Sequence, residues 1–233
     1  MKYIGDTTTC VAKNAWWLHV VWALGGGVLG MVVAALFAGI FRLPRNVYLL
    51  PYAFLVGAYV YAYVRWSKLD LGEIARDHWV WGLIGGAVVG VFGVWTVIHQ
   101  ASSPTPAGFE LIFNLLWLGI VYGTVDGLLL SVLPVFAIVQ ALTEVGWTQG
   151  GARRVIAGLL TLVGSLAVVA LYHLGYPEFR GPQVMFPMVG VGVMSLAYIV
   201  TGNPLSALIS HIAMHITAVL YGLESVRQLP PHY

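Results

Sequence analysis

The chain has 233 residues, 59% of them hydrophobic and only 9% charged, with a mean hydropathy of +0.85 and a formal net charge of +2. That composition excludes a soluble globular domain and places the chain among polytopic membrane proteins, with the lipid bilayer as its first partner. Scattered basic residues exclude a nucleic-acid partner, and the single cysteine, Cys10, excludes an internal disulfide and any cysteine-built metal cage.

A membrane-crossing helix needs about 20 mostly apolar residues. Seven stretches meet that measure: 16–41, 47–65, 79–99, 111–142, 155–173, 184–201 and 205–222. The fold class expected is therefore all-α, a polytopic transmembrane bundle of about seven spans. Short connections make 1–233 a single integral membrane domain, with 1–110 supplying N-terminal helices and 111–222 a C-terminal core. Residues 1–15 are polar and the apolar run after them is too long for a signal h-region, so no cleaved leader is expected. The 9 tryptophans and 12 tyrosines suit a protein with two water–lipid interfaces to line.

The first span carries Gly25–Gly27, and Gly26 with Gly30 forms a small-xxx-small pair that admits a neighbouring helix closely. His19 follows Ala15 by four, a spacing that also occurs where light-harvesting helices hold a pigment magnesium. The simpler expectation is an interfacial histidine touching water. The second span runs through Tyr48, Tyr52, Tyr59, Tyr61 and Tyr63. Residues 66–78 alternate charge with Leu69, Leu71, Ile74 and Ala75, which fits either a short amphipathic surface segment or a solvated loop.

In the third span Gly82, Gly86 and Gly90 make another close-packing face, for a helix of this chain or of a partner. The fourth, 111–142, exceeds one perpendicular crossing, so it must tilt, kink or project, and Gly123, Gly127 and Pro134 offer places to bend. Asp126 lies inside it, while every other acid falls in a loop, a tail or at the edge of a span. For seven spans, Lys2, Lys13, Arg65, Lys68, Arg76, Arg153 and Arg154 share one side, against Arg42, Arg45, Arg180 and Arg227 on the other. The positive-inside rule then puts the N-terminus in the cytoplasm.

The stretch 201–222, TGNPLSALISHIAMHITAVLYG, reads as a membrane helix that begins after a Gly-Asn-Pro break. Its His211 and His215 are four apart and so stack on one face. Either imidazole alone also fits the role of polar glue to a neighbouring helix. Inserting an aspartate at a helix centre costs about 2.5–3.5 kcal/mol, so Asp126 needs partners. One arrangement relieves Asp126, His173, His211 and His215 together: a shared polar pocket. It would hold a polarised water, a divalent metal or a plain hydrogen-bond network.

Three stretches carry a family resemblance. MVGVGVMSLAYIVTGNPLSALISHIAMHITAVLYG at 188–222 resembles the last two helices of the CAAX-protease and bacteriocin-processing (CPBP, or Abi) membrane endopeptidases, in which a Thr-Gly turn precedes a His-x-x-x-Asn helix. VVALYHLGY at 168–176 is similar to the family's Phe-x-x-x-His helix end, and LGIVYGTVDGLLLSVLP at 118–134 sits where the family has paired glutamates and then an arginine. The departures are Val125–Asp126 for the glutamate pair, Leu130 for the arginine, Val169 for the phenylalanine and His215 for the asparagine. The resemblance implies a CPBP-like core in the C-terminal half, with Asp126 as catalytic base, His173 and His211 assisting, and His215 in the oxyanion-binding position.

An acid one methylene shorter is misplaced by about an ångström, which costs about a hundredfold in rate. The first expectation is therefore a noncatalytic subunit or scaffold among other membrane protein subunits, in a bacterial-type inner membrane. An active intramembrane endopeptidase using Asp126, His173 and His211 is the alternative. A histidine-based metal or pigment site is the third reading. No cofactor is fixed by these residues.

Overall fold

A chain this apolar must satisfy its backbone hydrogen bonds within each crossing segment, and a helix does so. The computed structural model describes residues 15–232, so Cys10 lies outside the described residues. Eight helices and no strand occur among them. They are α1 (Trp16–Ile40), α2 (Arg45–Ser67), α3 (Leu71–Arg76), α4 (Trp79–Ile98), α5 (Gly108–Glu144), α6 (Gly151–Leu174), α7 (Met185–Thr201) and α8 (Leu205–Gly222). All but α3 are long and apolar enough to cross a membrane, α7 with the short turn Pro182–Val184 that leads into it. The chain is an all-α integral membrane bundle.

The long fourth segment is the axis of that bundle. In α5, 83% of the most apolar window is buried inside the protein, against 28–50% in the other six spans. Two wide π turns, Leu115–Val121 and Leu128–Val132, interrupt it on either side of Tyr122–Gly127. The second lies just before Pro134, whose ring lacks an N–H and crowds the carbonyl four residues back.

Glycines set how closely the other helices approach. A Cβ at Gly119 would lie 2.9 Å from the Ile216 side chain, one at Gly123 2.9 Å from the Ile212 backbone, and one at Gly127 3.0 Å from Leu208. Gly123 and Gly127, expected as places to bend, are thus contact points that seat α8 directly on α5. On the other flank of α8, a Cβ at Gly86 would meet Ile209 at 2.8 Å and one at Gly90 would meet Ala213 at 3.5 Å. The small-residue face of α4 is therefore filled by this chain's own α8. That of α1 is filled likewise, with Gly27 against Val168 of α6 and Gly26 against Leu133 of α5.

The Gly-Asn-Pro break joins α7 to α8. Gly202 takes the left-handed conformation (φ 71°) that ends a helix without a Cβ clash. Buried Asn203 accepts from the Leu205 amide (2.9 Å) and shares its own N–H groups among the carbonyls of Ile74 (3.2 Å), Ala75 (3.2 Å) and Asp77 (2.6 Å). Those carbonyls close α3, whose start is capped by Asp70 accepting from the Glu73 amide at 3.0 Å. Residues 66–78 therefore resolve into a short surface helix pinned to the bundle by one asparagine.

The expectation for His19 is corrected. Its ring is only 2% exposed, between the Tyr63 hydroxyl (3.0 Å) and a Glu144 carboxylate oxygen (3.2 Å). Close packing of α1 on α5 draws it out of the interface. After α8 the chain folds back with Val226 and Leu229 fully buried. Gln100 clasps this tail, accepting from the Arg227 amide (2.9 Å) and donating to the Gln228 side chain (2.8 Å).

The α5–α8 seam is open to test. In Gly123→Ala the new methyl faces backbone that cannot yield, so unfolding in detergent should be destabilised by about 1–3 kcal/mol. A methyl added at Gly57 would meet nothing within 4 Å, and Gly57→Ala should be neutral or slightly stabilising. Equal melting points for the two variants would refute the seam.

Candidate functional site

Asp126 sits in the α5 turn between the two π segments and is 5% exposed. The Tyr52 hydroxyl donates to its Oδ1 at 2.7 Å. His215 brings Nε2 to 3.3 Å from Oδ2, outside hydrogen-bonding alignment, so this is a charge contact rather than a directed bond. Both carboxylate oxygens thus have a neighbour, one from α2 and one from α8. Seating α8 on the glycine ladder of α5 is what brings His215 within reach.

His173 ends α6. Its Nδ1 lies 2.8 Å from the Val169 carbonyl, which only accepts, so Nδ1 carries the proton and a neutral ring keeps its lone pair on Nε2. His211 is tied differently. Ser165 donates to the Leu130 carbonyl (3.1 Å) and lies 2.8 Å from the Ser195 hydroxyl, which donates to Ser131 (3.0 Å). The Ser131 hydroxyl is 3.2 Å from His211 Nε2. With each hydroxyl proton used once, Ser131 donates to Nε2 and the His211 proton rests on Nδ1. That Nδ1 is buried and has no partner within the protein.

Asp126, His173 and His211 line one end of a cavity of about 500 Å³. Phe92, Met194 and Met214 form much of its wall, and Arg227 and Gln228 its rim. The expected pocket was polar; this one is largely apolar with a polar end, because α4 and α7 contribute methionine and aromatic side chains. His215, the fourth residue of the expected set, does not line it. It stands behind Asp126 with its ring 4.9 Å from that of Tyr122. Trp95, Met185, Phe186 and Val189 also line the cavity, and each is more than half exposed. The cavity therefore opens sideways between α4 and α7, on the face these apolar residues present to lipid.

No three histidine, cysteine, aspartate or glutamate side chains among the described residues stand close enough to hold a metal ion. Asp126 and the three histidines share a neighbourhood without converging on one point, so the four-ligand set does not form.

Five tyrosines complete the site and carried no such signal in the sequence. Tyr48, Tyr52, Tyr122, Tyr172 and Tyr176 are all fully buried. The Tyr172 and Tyr176 hydroxyls are 2.6 Å apart, Tyr176 donates to Tyr48 at 2.6 Å, and Tyr122 donates to the Pro230 carbonyl at 2.8 Å. Tyr52 stacks on Tyr48 and Tyr172. These side chains are core, not interface lining. The available signal was the spacing of Tyr48 and Tyr52, which lie four apart on α2 and so share a helix face.

Comparison with family models, with curated proteins and with solved structures gives no match for the chain.

Tyr52→Phe strips Asp126 Oδ1 of its hydroxyl donor and should lower unfolding stability by about 1–3 kcal/mol. Tyr61 is 65% exposed, and Tyr61→Phe should leave the melting point where it was. A Tyr52→Phe protein as stable as wild type would show that the bond carries no weight.

Proposed function

We propose that this chain is a CPBP-like intramembrane hydrolase of altered chemistry, cleaving an amide bond presented from within the bilayer. One observation supports the reading: three helices bring the Asp126 carboxylate, the His173 imidazole with its lone pair on Nε2, and His211 to the lining of one cavity. Those are the parts acyl transfer to water requires.

In this scheme a water stands between Asp126 and His173 Nε2. Its oxygen attacks the carbonyl carbon while Nε2 takes its proton. The oxyanion accepts from His211 Nδ1–H. As the C–N bond breaks, His173 returns the proton to the leaving nitrogen, giving an acid and an amine. Asp126, oriented by Tyr52 and His215, stabilises the transient imidazolium. Replacing a general base costs about 10²–10⁴-fold. His173→Gln should lower cleavage of a quenched apolar peptide library by at least about a hundredfold in lipid nanodiscs, and Asp126→Asn, which leaves the imidazolium without its counter-charge, should lower it clearly too. His99→Gln, at the cavity's outer end, should leave it within about twofold. Full turnover in Asp126→Asn would end the hydrolytic reading.

A second reading, a noncatalytic subunit, is favoured by Tyr52 and His215 already standing at both carboxylate oxygens. The glycine faces of α1 and α4 no longer support it, because this chain fills them itself. It predicts purification at fixed stoichiometry with other membrane chains, and a clean monomer in mild detergent retires it.

The basic-residue bias supports a cytoplasmic N-terminus in a bacterial-type inner membrane. The one cysteine of the chain, Cys10, reports on this directly. A membrane-impermeant maleimide should label it in inverted vesicles and not in intact spheroplasts, and the reverse pattern overturns the orientation.

A further inference from the structure

We infer that the cavity takes a single-chain amphiphile with an anionic head, the chain entering sideways between α4 and α7 and the head resting on Arg227. This deepens the proposed function and rests on the cavity being a working site. The argument begins with charge. Arg227 is the one lysine or arginine among the residues lining the cavity, and it stands at the rim, exposed. Its guanidinium lies over the Phe186 ring at 4.3 Å from the centroid. A cation–π contact occupies the flat face of the guanidinium and leaves its N–H edge free to meet a carboxylate or phosphate in two parallel bonds. None of the ion pairs formed by the described residues involves Arg227. The one carboxylate in the lining, Asp126, is at the far end and already has its own neighbours.

The rest of the cavity suits a hydrocarbon chain. Phe92, Met194 and Met214 present apolar surface, and methionine adapts to a flexible ligand. A volume of about 500 Å³ falls within the range of small-molecule sites. The side opening is bordered by Trp95, Phe186 and Val189, so a chain passes from bilayer to cavity without crossing water. Arg227 in turn lies beyond the end of α8, where a charged head stays hydrated. The rim is thus cationic and wet, and the side opening apolar and continuous with lipid.

The test is native mass spectrometry of the full-length protein with dodecanoate, dodecyl phosphate or dodecanol. One adduct per chain is expected with either anion, held about tenfold more tightly than dodecanol, as a charge-assisted pair provides. Preference for the carboxylate over the phosphate points to a fatty-acid source, and the reverse to a phospholipid source. Arg227→Gln should abolish the preference for anions, and Arg227→Lys should keep most of it. Val189→Trp, which narrows the side opening, should weaken all three. Dodecanol binding as tightly as dodecanoate overturns the inference, as does an unchanged preference in Arg227→Gln or unchanged binding in Val189→Trp. Binding is read without turnover. A protein that binds the anions and cleaves nothing loses only the hydrolytic reading, and one that cleaves while ignoring the head group loses only this one.

Discussion

The contact between α5 and α8 determines what the site is able to be. Gly119, Gly123 and Gly127 fall at intervals of four and expose a strip of bare backbone along one face of α5. Lipid gives no hydrophobic reason for two helices to associate, so contact at this range depends on dispersion and shape, and small residues decide it. Because α8 rests on that strip, Asp126 of α5 and His215 of α8 come within 3.3 Å. A methyl on Gly123 would press against the Ile212 backbone and part the two helices where the acid meets the imidazole.

Burial of polar groups explains the composition of this region. A carboxylate in hydrocarbon is costly unless donors surround it. Here one donor is the Tyr52 hydroxyl, whose own ring is packed against the buried Tyr48, Tyr122 and Tyr172. Phenols suit that place. Each brings a large apolar ring that fills the core and a hydroxyl that stays hydrogen-bonded. The serine chain from Ser165 to Ser131 does the same for His211 Nε2 using small groups. What stays unsatisfied in this part of the protein is concentrated on the imidazoles: His211 Nδ1 and both nitrogens of His215 as directed bonds. Unmet polar groups in an otherwise satisfied core mark the place where an outside molecule has something to bind.

Span number and position were readable from hydropathy because lipid imposes the same requirement on every crossing segment. Asp126 stood out for a related reason, as the one acid set among apolar residues. The direction of a glycine face was not readable. Gly82, Gly86 and Gly90 promise a close neighbour without saying which, and the structure gives Asn203 of the turn before α8 and then α8 itself. Gly123 and Gly127 looked like bends because flexibility and close contact have the same sequence signature. His19 was misplaced for want of its partners, since Tyr63 and Glu144 lie 44 and 125 residues away. The tyrosine cluster was invisible in the same way. Its members come from three helices and the turn after α6, and only the spacing of Tyr48 and Tyr52 within α2 is local.

The departures from the endopeptidase pattern look different once placed in the fold. Two glutamates and an arginine would carry a net charge of −1. Val125, Asp126 and Leu130 carry the same with a single group. Leu130 is 1% exposed, and an arginine buried there would pair with the one aspartate and leave the site without net charge. Losing either ion alone strands the other in low dielectric, which costs more than losing both. With leucine there, Asp126 is met from other helices instead, by Tyr52 and His215. His215 supplies from α8 a group that approaches the Asp126 carboxylate at 3.3 Å. Such a site sets one carboxylate against one imidazole and one phenol in a closely packed seam, an arrangement coherent with chemistry.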